Sequence, residues 1–350
     1  MTRHSTESSL IKAMGVWGLA ASIVNITVGG GIFRLPAAAA AALGPAAPFA
    51  YLICAVVMLL IVLCFAEAGS RVSLTGGVYA YTEIAFGPFI GFLVGVLLWA
   101  GITAATAAVS SFFADALAAL IPALAGAGAR GATIVAILVA FALLNIAGVK
   151  GANRFNALMT IAKLLPLLLF IVIGITAIHS DNLTLHGTTA VAPSAFARAS
   201  AVLIFAFLGL ETALVPSGEV KDPSRTIPRA IFAAMFAITV LYLAIQIVAQ
   251  GVLGASLATQ KTPLAEAAAV VMGPAGRSLI LIGSAISMFG YVSGMTLAVP
   301  RMLFAFGRDG FLPAQLAAVH PRFKTPHIAI AVQAVVVIAL ATSGSFEWLA

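Results

Sequence analysis

The sequence predicts an all-α integral membrane protein, because its composition is strongly apolar and its apolar residues fall in long runs. Of its 350 residues, 62% are hydrophobic and only 8% are charged. A soluble domain is roughly 45–50% apolar and about 25% charged, so a water-soluble chain this poor in charge could not cover its own surface. A membrane-spanning helix needs about 20 mostly apolar residues, and the chain offers several such runs.

Nine apolar runs are candidate membrane spans, and we number them one to nine along the chain. Their predicted limits are Met14–Leu43, Ala46–Ala66, Tyr81–Ala119, Ala132–Gly148, Phe155–Ile178, Phe196–Pro216, Ala230–Leu253, Ser278–Phe304 and His327 to the end. The first run is too long for a signal peptide and is followed by further spans, so we expect it to stay uncleaved. We therefore expect one transmembrane domain over residues 1–350.

The basic residues between the spans predict an orientation. If the N-terminus is cytoplasmic, the cytoplasmic side holds twelve of the 18 lysines and arginines and the other side holds four, while Arg34 and Lys163 fall within spans. Cytoplasmic loops carry such an excess of basic residues. We expect a multi-pass protein of the cell (inner) membrane with its N-terminus in the cytoplasm. The basic residues are scattered, whereas a nucleic-acid interface needs them clustered, so no nucleic acid is expected as a partner.

Two spans contain glycine at mid-span. Span one carries Gly29, Gly30 and Gly31, each of which costs about 1 kcal/mol relative to alanine in a helix. Span six carries Gly209, followed closely by the acidic Glu211. In lipid, unwound backbone survives only where it is buried or lines a cavity. Interrupted helices at matching positions, here five spans apart, indicate a transporter site between inverted repeats.

The broken helices also predict what such a site would bind. Amide groups at the start of the second half of span one favour a carboxylate. Carbonyl groups that end the first halves of spans one and six favour an ammonium group. An α-amino acid presents both groups. The alternative is that the three glycines only permit close packing of helices, as small residues do in membranes.

Several motifs in order resemble the amino acid–polyamine–organocation superfamily of permeases. Gly29-Gly30-Gly31-Ile32-Phe33 resembles its G-S-G-I-F signature, with glycine in place of the usual serine. The further matching segments are Ala66-Glu67-Ala68-Gly69-Ser70-Arg71, Thr75-Gly76-Gly77-Val78-Tyr79, Gly148-Val149-Lys150 with Thr160 and Lys163, Phe205 to Glu211, Glu219-Val220-Lys221-Asp222-Pro223, Ile227-Pro228-Arg229-Ala230 and Arg308-Asp309-Gly310-Phe311-Leu312-Pro313. The resemblance covers nearly the whole chain.

This resemblance implies the LeuT-like transporter fold, which consists of two inverted five-helix repeats within twelve spans in most members. Spans one to five would form the first repeat, and spans six to nine an incomplete second repeat. Because the chain ends within the ninth span, we expect about nine transmembrane helices and a C-terminal truncation.

The resemblance also implies which residues meet the substrate. Its backbone groups would contact Thr27, Gly29, Gly30 and Gly31 of span one and Phe205, Ala206, Phe207 and Leu208 of span six. The side-chain pocket would be lined by Gly101, Ile102 and Thr106 of span three. Phe205 stands where relatives have an aromatic outer gate. Since Gly30 replaces a serine, the amide groups alone would anchor the carboxylate.

Two ionisable residues within spans are candidates for ion coupling, because charges at mid-bilayer cost at least a few kcal/mol. Lys163 lies nine residues beyond Arg154, or about 13 Å along a helix. A buried amine holds its proton less firmly, which suits a proton carrier. In sodium-coupled relatives this region is a sodium site, so the resemblance implies a proton-coupled, sodium-independent protein. The alternative is a permanently charged lysine held by span-one carbonyls.

Glu211 has two interpretations that the sequence leaves open. It is either a protonated acid that hydrogen-bonds the unwound segments or a pH-sensing group.

The sequence therefore predicts a secondary active transporter of amino acids, with an exchanger of amino acids or amines as the alternative. It contains no catalytic cluster typical of an enzyme and no repeated filter or charge ring typical of a channel. No cysteine and histidine spacing suggests a metal site, and no cofactor is expected.

The expected partners are an amino acid or amine substrate, protons and membrane lipid, and a homodimer is left open. None of the named pocket residues is acidic, which favours neutral amino acids. Basic substrates stay open because an aromatic pocket can hold a cation.

Overall fold

The structure is a computed structural model that describes residues 10–72, 74–184 and 192–343. These residues form α-helices joined by turns and short 3₁₀ segments, with an isolated β-bridge between Met14 and Val220. In chain order the helices are α1 (Val16–Thr27), α2 (Leu35–Leu43), α3 (Ala47–Arg71), α4 (Val78–Phe86), α5 (Pro88–Leu120), α6 (Ala127–Ile146), α7 (Val149–Gly174), α8 (Pro193–Leu203), α9 (Leu210–Ala213), α10 (Pro223–Leu253), α11 (Pro263–Ala298), α12 (Pro300–Arg308) and α13 (His327–Ser343).

Length and apolar composition make seven helical stretches of the described residues able to cross a membrane. Val16–Thr27 and His327–Ser343 are apolar but shorter. The prediction of an all-α membrane protein is therefore confirmed. Span one differs from a simple span because it is built from two short helices, α1 and α2, rather than from one continuous helix.

The predicted breaks in spans one and six are both confirmed. In span one, α1 ends at Thr27, a 3₁₀ turn covers Gly31–Phe33, and α2 begins at Leu35. In span six, α8 is followed by a 3₁₀ segment, Ile204–Phe207, and then by the short α9. Both helices therefore lose their regular hydrogen bonding at mid-span.

Gly209 is required by the break in span six for two reasons. Its φ angle is +121°, a conformation that side chains disfavour. A Cβ at this position would also lie 2.8 Å from Cγ2 of Ile26 and 3.3 Å from its backbone. The two broken spans therefore touch backbone to backbone at this point.

Three other helices begin, end or bend at positions that differ from the predicted limits of the spans. Span three is preceded by α4, which stops because Gly87 has a φ of +90° and Pro88 starts a new helix. The α11 helix starts at Pro263, before predicted span eight, and Gly273 interrupts it with a φ of +67°. The α10 helix starts at Pro223, because a proline fits the first turn of a helix.

The helices pack as two groups joined by α7. One group consists of α1, α2, α3, α8 and α10, in which α10 packs against α1 and α3. The other consists of α5, α6, α11 and α13, which pack on one another. Helix α7 contacts α11 of the second group and α1 of the first. The breaks of spans one and six belong to the first group.

Candidate functional site

A cavity of about 620 Å³ lies where the two broken spans meet spans three, seven and eight. Its wall is mostly apolar, and its polar side chains are Thr27, Glu211, Thr212, Tyr242 and Tyr291. The remaining lining residues are Ile26, Gly29, Gly30, Gly31, Ile32, Leu35, Leu97, Leu98, Gly101, Ile102, Ala105, Val109, Phe205, Ala206, Leu208, Gly209 and Met295. This cavity is the candidate binding site.

The span-one break exposes amide groups to this cavity. Within the described part of the chain, the amides of Gly30, Gly31 and Ile32 donate no hydrogen bond to a local turn or to a distant acceptor. A Cβ on Gly29, Gly30 or Gly31 would meet other atoms only at 3.5 Å or more. Tight helix packing therefore does not require these glycines. Successive unbonded amides at the start of a helical segment are suited to an anion.

The carbonyl groups of the same break are already engaged by protein donors. The carbonyl of Thr27 accepts from the Tyr242 hydroxyl at 3.2 Å. The carbonyl of Val28 accepts from Lys163 Nζ at 2.8 Å and from Ser287 Oγ at 2.9 Å. Ser287 Oγ also reaches the carbonyl of Gly29 at 3.1 Å. The span-one break therefore presents donors to the cavity, while its acceptors face the surrounding helices.

Lys163 is fully buried between α7, α1 and α11. Its Nζ donates to the carbonyls of Asn25 at 2.7 Å, Val28 at 2.8 Å and Ser287 at 3.2 Å. A protonated lysine has three N–H donors, so all of them are used. Among the described residues no carboxylate forms an ion pair with Lys163. Within the described part of the chain, the ammonium group is thus held by backbone carbonyls of spans one and eight.

Glu211 lines the cavity and stabilises the break in its own span. Both of its carboxylate oxygens accept from the Gly209 amide, each at 3.0 Å. This contact satisfies an amide at the start of α9, where a negative charge is favourable. In this contact Glu211 acts only as an acceptor, so its interpretations as a protonated acid and as a pH-sensing group both stay predictions.

Most residues that the sequence pointed to are brought together by the fold. The cavity wall includes Thr27, Gly29, Gly30, Gly31, Gly101, Ile102, Phe205, Ala206 and Leu208. Thr106 and Phe207 lie outside it. Thr106 is buried and donates to the carbonyl of Ile102 one turn earlier, at 2.8 Å. Phe207 is buried against the ring of Tyr242, with centroids 5.2 Å apart. Phe205 lines the cavity and is 70% exposed, so its ring is not enclosed by neighbouring side chains.

Tyr242 is a site residue that the sequence analysis missed. Its hydroxyl lies between the carbonyls of Thr27, at 3.2 Å, and Ala206, at 2.9 Å, and so bridges the breaks of spans one and six. A lone tyrosine within the apolar run of span seven was the only signal for it. Tyr291 and Met295 of α11 also line the cavity without having been predicted.

Tyr242→Phe is expected to lower the free energy of unfolding by about 1 kcal/mol, because it removes the hydroxyl that bridges two backbone carbonyls. Tyr51→Phe is the matched control, since Tyr51 is equally buried and its hydroxyl has no partner within the described residues. The control should melt at or above the wild-type temperature in the same detergent. Equal melting temperatures for the two variants would contradict the bridge.

Buried ion pairs close the end of the bundle that contains Met14, Val220 and Arg301, which we call the N-terminal end. Arg301 Nε and Nη2 donate to the two carboxylate oxygens of Glu219 at 2.7 and 3.0 Å, and neither side chain is exposed. The Glu219 carbonyl accepts from the amides of Ala13 and Met14. This pair therefore joins α12 to the segment that follows span six and to the start of span one.

A second buried ion pair lies at the C-terminal end of α12. Arg308 Nη2 donates to Asp309 Oδ2 at 2.7 Å, and the Tyr79 hydroxyl donates to the same oxygen at 2.9 Å. Arg308 also donates to the carbonyl of Thr75 at 3.1 Å. These contacts tie the end of α12 to the segment between spans two and three.

Comparison with known proteins agrees with this architecture. Residues 14–349 match the protein family described as amino acid permease. The methylthioribose transporter of Bacillus subtilis (strain 168) is 31% identical, over 93% of this chain and 74% of the relative. The serine/threonine exchanger SteT of the same organism is 31% identical, over 94% of this chain and 76% of the relative. The branched-chain amino acid permease BcaP of Bacillus subtilis is 29% identical, over 93% of this chain and 73% of the relative.

The family match spans almost the whole chain, and its members are membrane transporters rather than enzymes. The matched residues include both broken spans, the cavity between them and the apolar helices around that cavity. The chain therefore belongs to the amino acid permease family, within the amino acid–polyamine–organocation superfamily.

Proposed function

We propose that this protein is a secondary active transporter of neutral amino acids that is coupled to protons and independent of sodium. The observation that carries the proposal is the opposite polarity of the two breaks. Span one presents unbonded amides of Gly30, Gly31 and Ile32 at the cavity. Span six brings Phe205 and Ala206, at the carbonyl end of its first half, to the same cavity. Each of these carbonyls accepts one hydrogen bond, from the Leu208 amide and the Tyr242 hydroxyl respectively, and keeps a second lone pair. An α-carboxylate and an α-ammonium group match these two sides.

The wall around the rest of the cavity supports a neutral, apolar substrate side chain. On the side of span three it is formed by Leu97, Leu98, Ile102 and Val109, and Met295 of α11 completes it. Buried charge without a partner is unfavourable, so an apolar wall disfavours a charged side chain. Glu211 is the only charged residue of this lining among the described residues, and its carboxylate is engaged by Gly209. The names of the serine/threonine and branched-chain relatives agree with neutral substrates.

The number of N–H donors on the Lys163 amine supports proton coupling, because that number depends on whether the amine is protonated. The protonated amine satisfies three carbonyls, two from span one and one from α11. A neutral amine keeps only two N–H groups and turns a lone pair towards a carbonyl. Loss of the proton would therefore weaken the connection between the first and second helix groups. Sodium independence is supported because the protonated amine takes up these carbonyls, in the region that forms a sodium site in sodium-coupled relatives.

We also propose that the N-terminal end of the bundle faces the cytoplasm of a cell membrane. The excess of lysine and arginine on that side supports this orientation. In the described structure this end is closed by the buried Arg301–Glu219 pair. A cavity closed on the cytoplasmic side would receive its substrate from outside.

Exchange is the second candidate function, favoured by the similarity to the serine/threonine exchanger. In an exchanger, substrate must be present on both sides, and a pH gradient alone does not drive accumulation. The cavity geometry suits both modes, because both bind the same substrate groups.

Uptake by purified protein in proteoliposomes separates the two modes. With labelled leucine or serine outside, an inward proton gradient and choline in place of sodium, we expect accumulation above the equilibrium level without internal substrate. Addition of a proton ionophore should abolish it. Uptake that needs internal leucine or serine and ignores the gradient would establish exchange. Labelled methylthioribose tests whether a substrate without the amino acid groups is carried instead.

A further inference from the structure

A continuous row of polar side chains runs from Lys163 towards the N-terminal end. On α7 it consists of Asn153, Asn156, Thr160 and Lys163, whose spacing of three and four residues places them on one face of the helix. Facing them are Ser22 and Asn25 of α1 and Ser287 and Ser293 of α11. We call these eight residues the polar seam. From Lys163 to Asn153 it extends about 15 Å along the helix axis.

Hydrogen bonds connect the members of the seam across three helices. Asn25 Nδ2 donates to the carbonyl of Gly290 at 2.7 Å and to Asn156 Oδ1 at 3.4 Å. Ser293 Oγ donates to the same Asn156 oxygen at 2.8 Å. Asn156 is therefore the residue at which α1, α7 and α11 meet below Lys163.

The seam continues on both sides of Asn156. Towards the N-terminal end, Ser22 Oγ donates to Asn153 Oδ1 at 3.4 Å. Towards the cavity, the backbone carbonyl of Asn25 accepts directly from Lys163 Nζ at 2.7 Å.

The central amide pair is incompletely satisfied. Asn25 Oδ1 and Asn156 Nδ2 are buried and have no hydrogen-bond partner within the described residues. Both side chains are at most 1% exposed. A buried water molecule typically bonds to two to four polar groups that would otherwise be unsatisfied. The unpaired Oδ1 of Asn25 is an acceptor and the unpaired Nδ2 of Asn156 is a donor, so the two atoms can serve as two of these partners.

Gly290 keeps the seam adjacent to Lys163. A Cβ at this position would lie 2.6 Å from Asn25 Oδ1 and 3.0 Å from Lys163 Cε. No larger residue fits between the unpaired oxygen and the lysine side chain without displacing one of them. The unpaired oxygen of Asn25 is therefore next to the amine-bearing chain rather than separated from it by a side chain.

We propose that the polar seam is the water path by which the Lys163 proton leaves for the N-terminal side, with Asn156 at its centre. The inference rests on the proposed proton coupling. The proton passes from Lys163 Nζ to a water molecule and leaves as hydronium, so that the neutral amine remains. Reprotonation comes from the cavity side.

The charged and titratable groups around this path separate its two ends. At the cavity end these are Glu211, Tyr242 of α10 and Tyr291 of α11, all in the cavity wall. At the other end the basic residues Lys150 and Arg154 of α7 flank the exit, and the buried Arg301–Glu219 pair lies at the same end of the bundle. Between the two ends the described seam residues are uncharged, so an excess proton is not trapped on the way.

Asn156→Leu tests the path, because it removes the central amide and keeps a similar volume. In proteoliposomes we expect accumulation of labelled leucine or serine under a proton gradient to fall about tenfold or more, together with dye-reported proton entry. Counterflow with internal substrate should stay within about twofold, since the cavity is untouched. Asn145→Leu is the matched control: Asn145 is buried on α6 and bonds within its own helix. Equal loss of both activities, or no loss of either, overturns the proposal.

Water access provides a readout that does not depend on coupling. The chain has two cysteines, Cys54 and Cys64, and Ser293→Cys can be introduced after both are replaced by alanine. We expect a small hydrophilic thiol reagent added at the N-terminal side to modify this thiol, and modification to slow gradient-driven uptake. No modification during turnover would overturn the path. A wild-type protein that ignores pH gradients while its Ser293→Cys variant is modified would instead refute proton coupling.

Discussion

Lys163→Met is expected to remove the response of uptake to a pH gradient. Methionine retains much of the lysine chain but has no donor for the carbonyls of Asn25, Val28 and Ser287. Hydrogen bonds from charged groups contribute about 1.5–3 kcal/mol each, so the connection between spans one and eight is strongly weakened. In proteoliposomes, wild-type uptake should rise as the external pH falls. Uptake by the variant should be at least about tenfold lower under the gradient and independent of pH.

Lys163→Arg separates a proton carrier from a permanent positive charge. Arginine stays protonated, so it keeps the charge and cannot release the proton. If proton release is part of the cycle, the arginine variant loses gradient-driven uptake as the methionine variant does. Lys261→Met, at an exposed position just before α11, is the control and should behave as wild type. A Lys163 variant with the wild-type pH profile would leave only a structural role for this residue.

Glu219→Gln is expected to cause the largest loss of stability among single substitutions at the N-terminal end. It removes the negative charge from an ion pair whose two side chains are both unexposed. An uncompensated buried charge costs about 3–5 kcal/mol, and Arg301 would carry it. The melting temperature of the purified protein in one detergent measures the loss.

Glu67→Gln is the matched control for this experiment. Glu67 forms an ion pair with Arg71, and the two side chains are 62% and 76% exposed. Their ion pair therefore contributes about 1 kcal/mol or less to stability. The double variant Glu219→Leu with Arg301→Met should recover much of the stability, because an apolar pair replaces the buried charges. Similar melting temperatures for Glu219→Gln and Glu67→Gln would show that the buried pair does not hold this end together.

The span-one glycines illustrate how far sequence reasoning extended into the site. Three consecutive glycines in an apolar run are costly in a helix, so a break was predictable from local backbone energetics alone. The same reasoning identified Gly209. What the break presents to the cavity was only half predicted. Amides were expected, and the structure has them unbonded, but the expected carbonyls of Thr27 and Val28 are occupied by Tyr242 and Lys163.

Thr106 and Phe207 show where transfer of site positions by motif alignment is limited. Both lie on the correct segments, yet neither lines the cavity, because helix rotation decides which residues of a turn face inward. Thr106 bonds back to its own helix, and Phe207 packs on Tyr242. Sequence position alone does not specify that rotation, which depends on the neighbouring helices.

The sequence by itself determined the membrane class, the positions of the two broken spans and the placement of a charged residue, Lys163, within a span. These features follow from composition and from the local cost of glycine or charge in a lipid-embedded helix. Only the tertiary structure decided which groups meet: Lys163 with carbonyls 138, 135 and 124 residues away, Tyr242 with both breaks, and Arg301 with Glu219. Contacts at such separations depend on how helices pack and rotate against one another, and no local pattern encodes them.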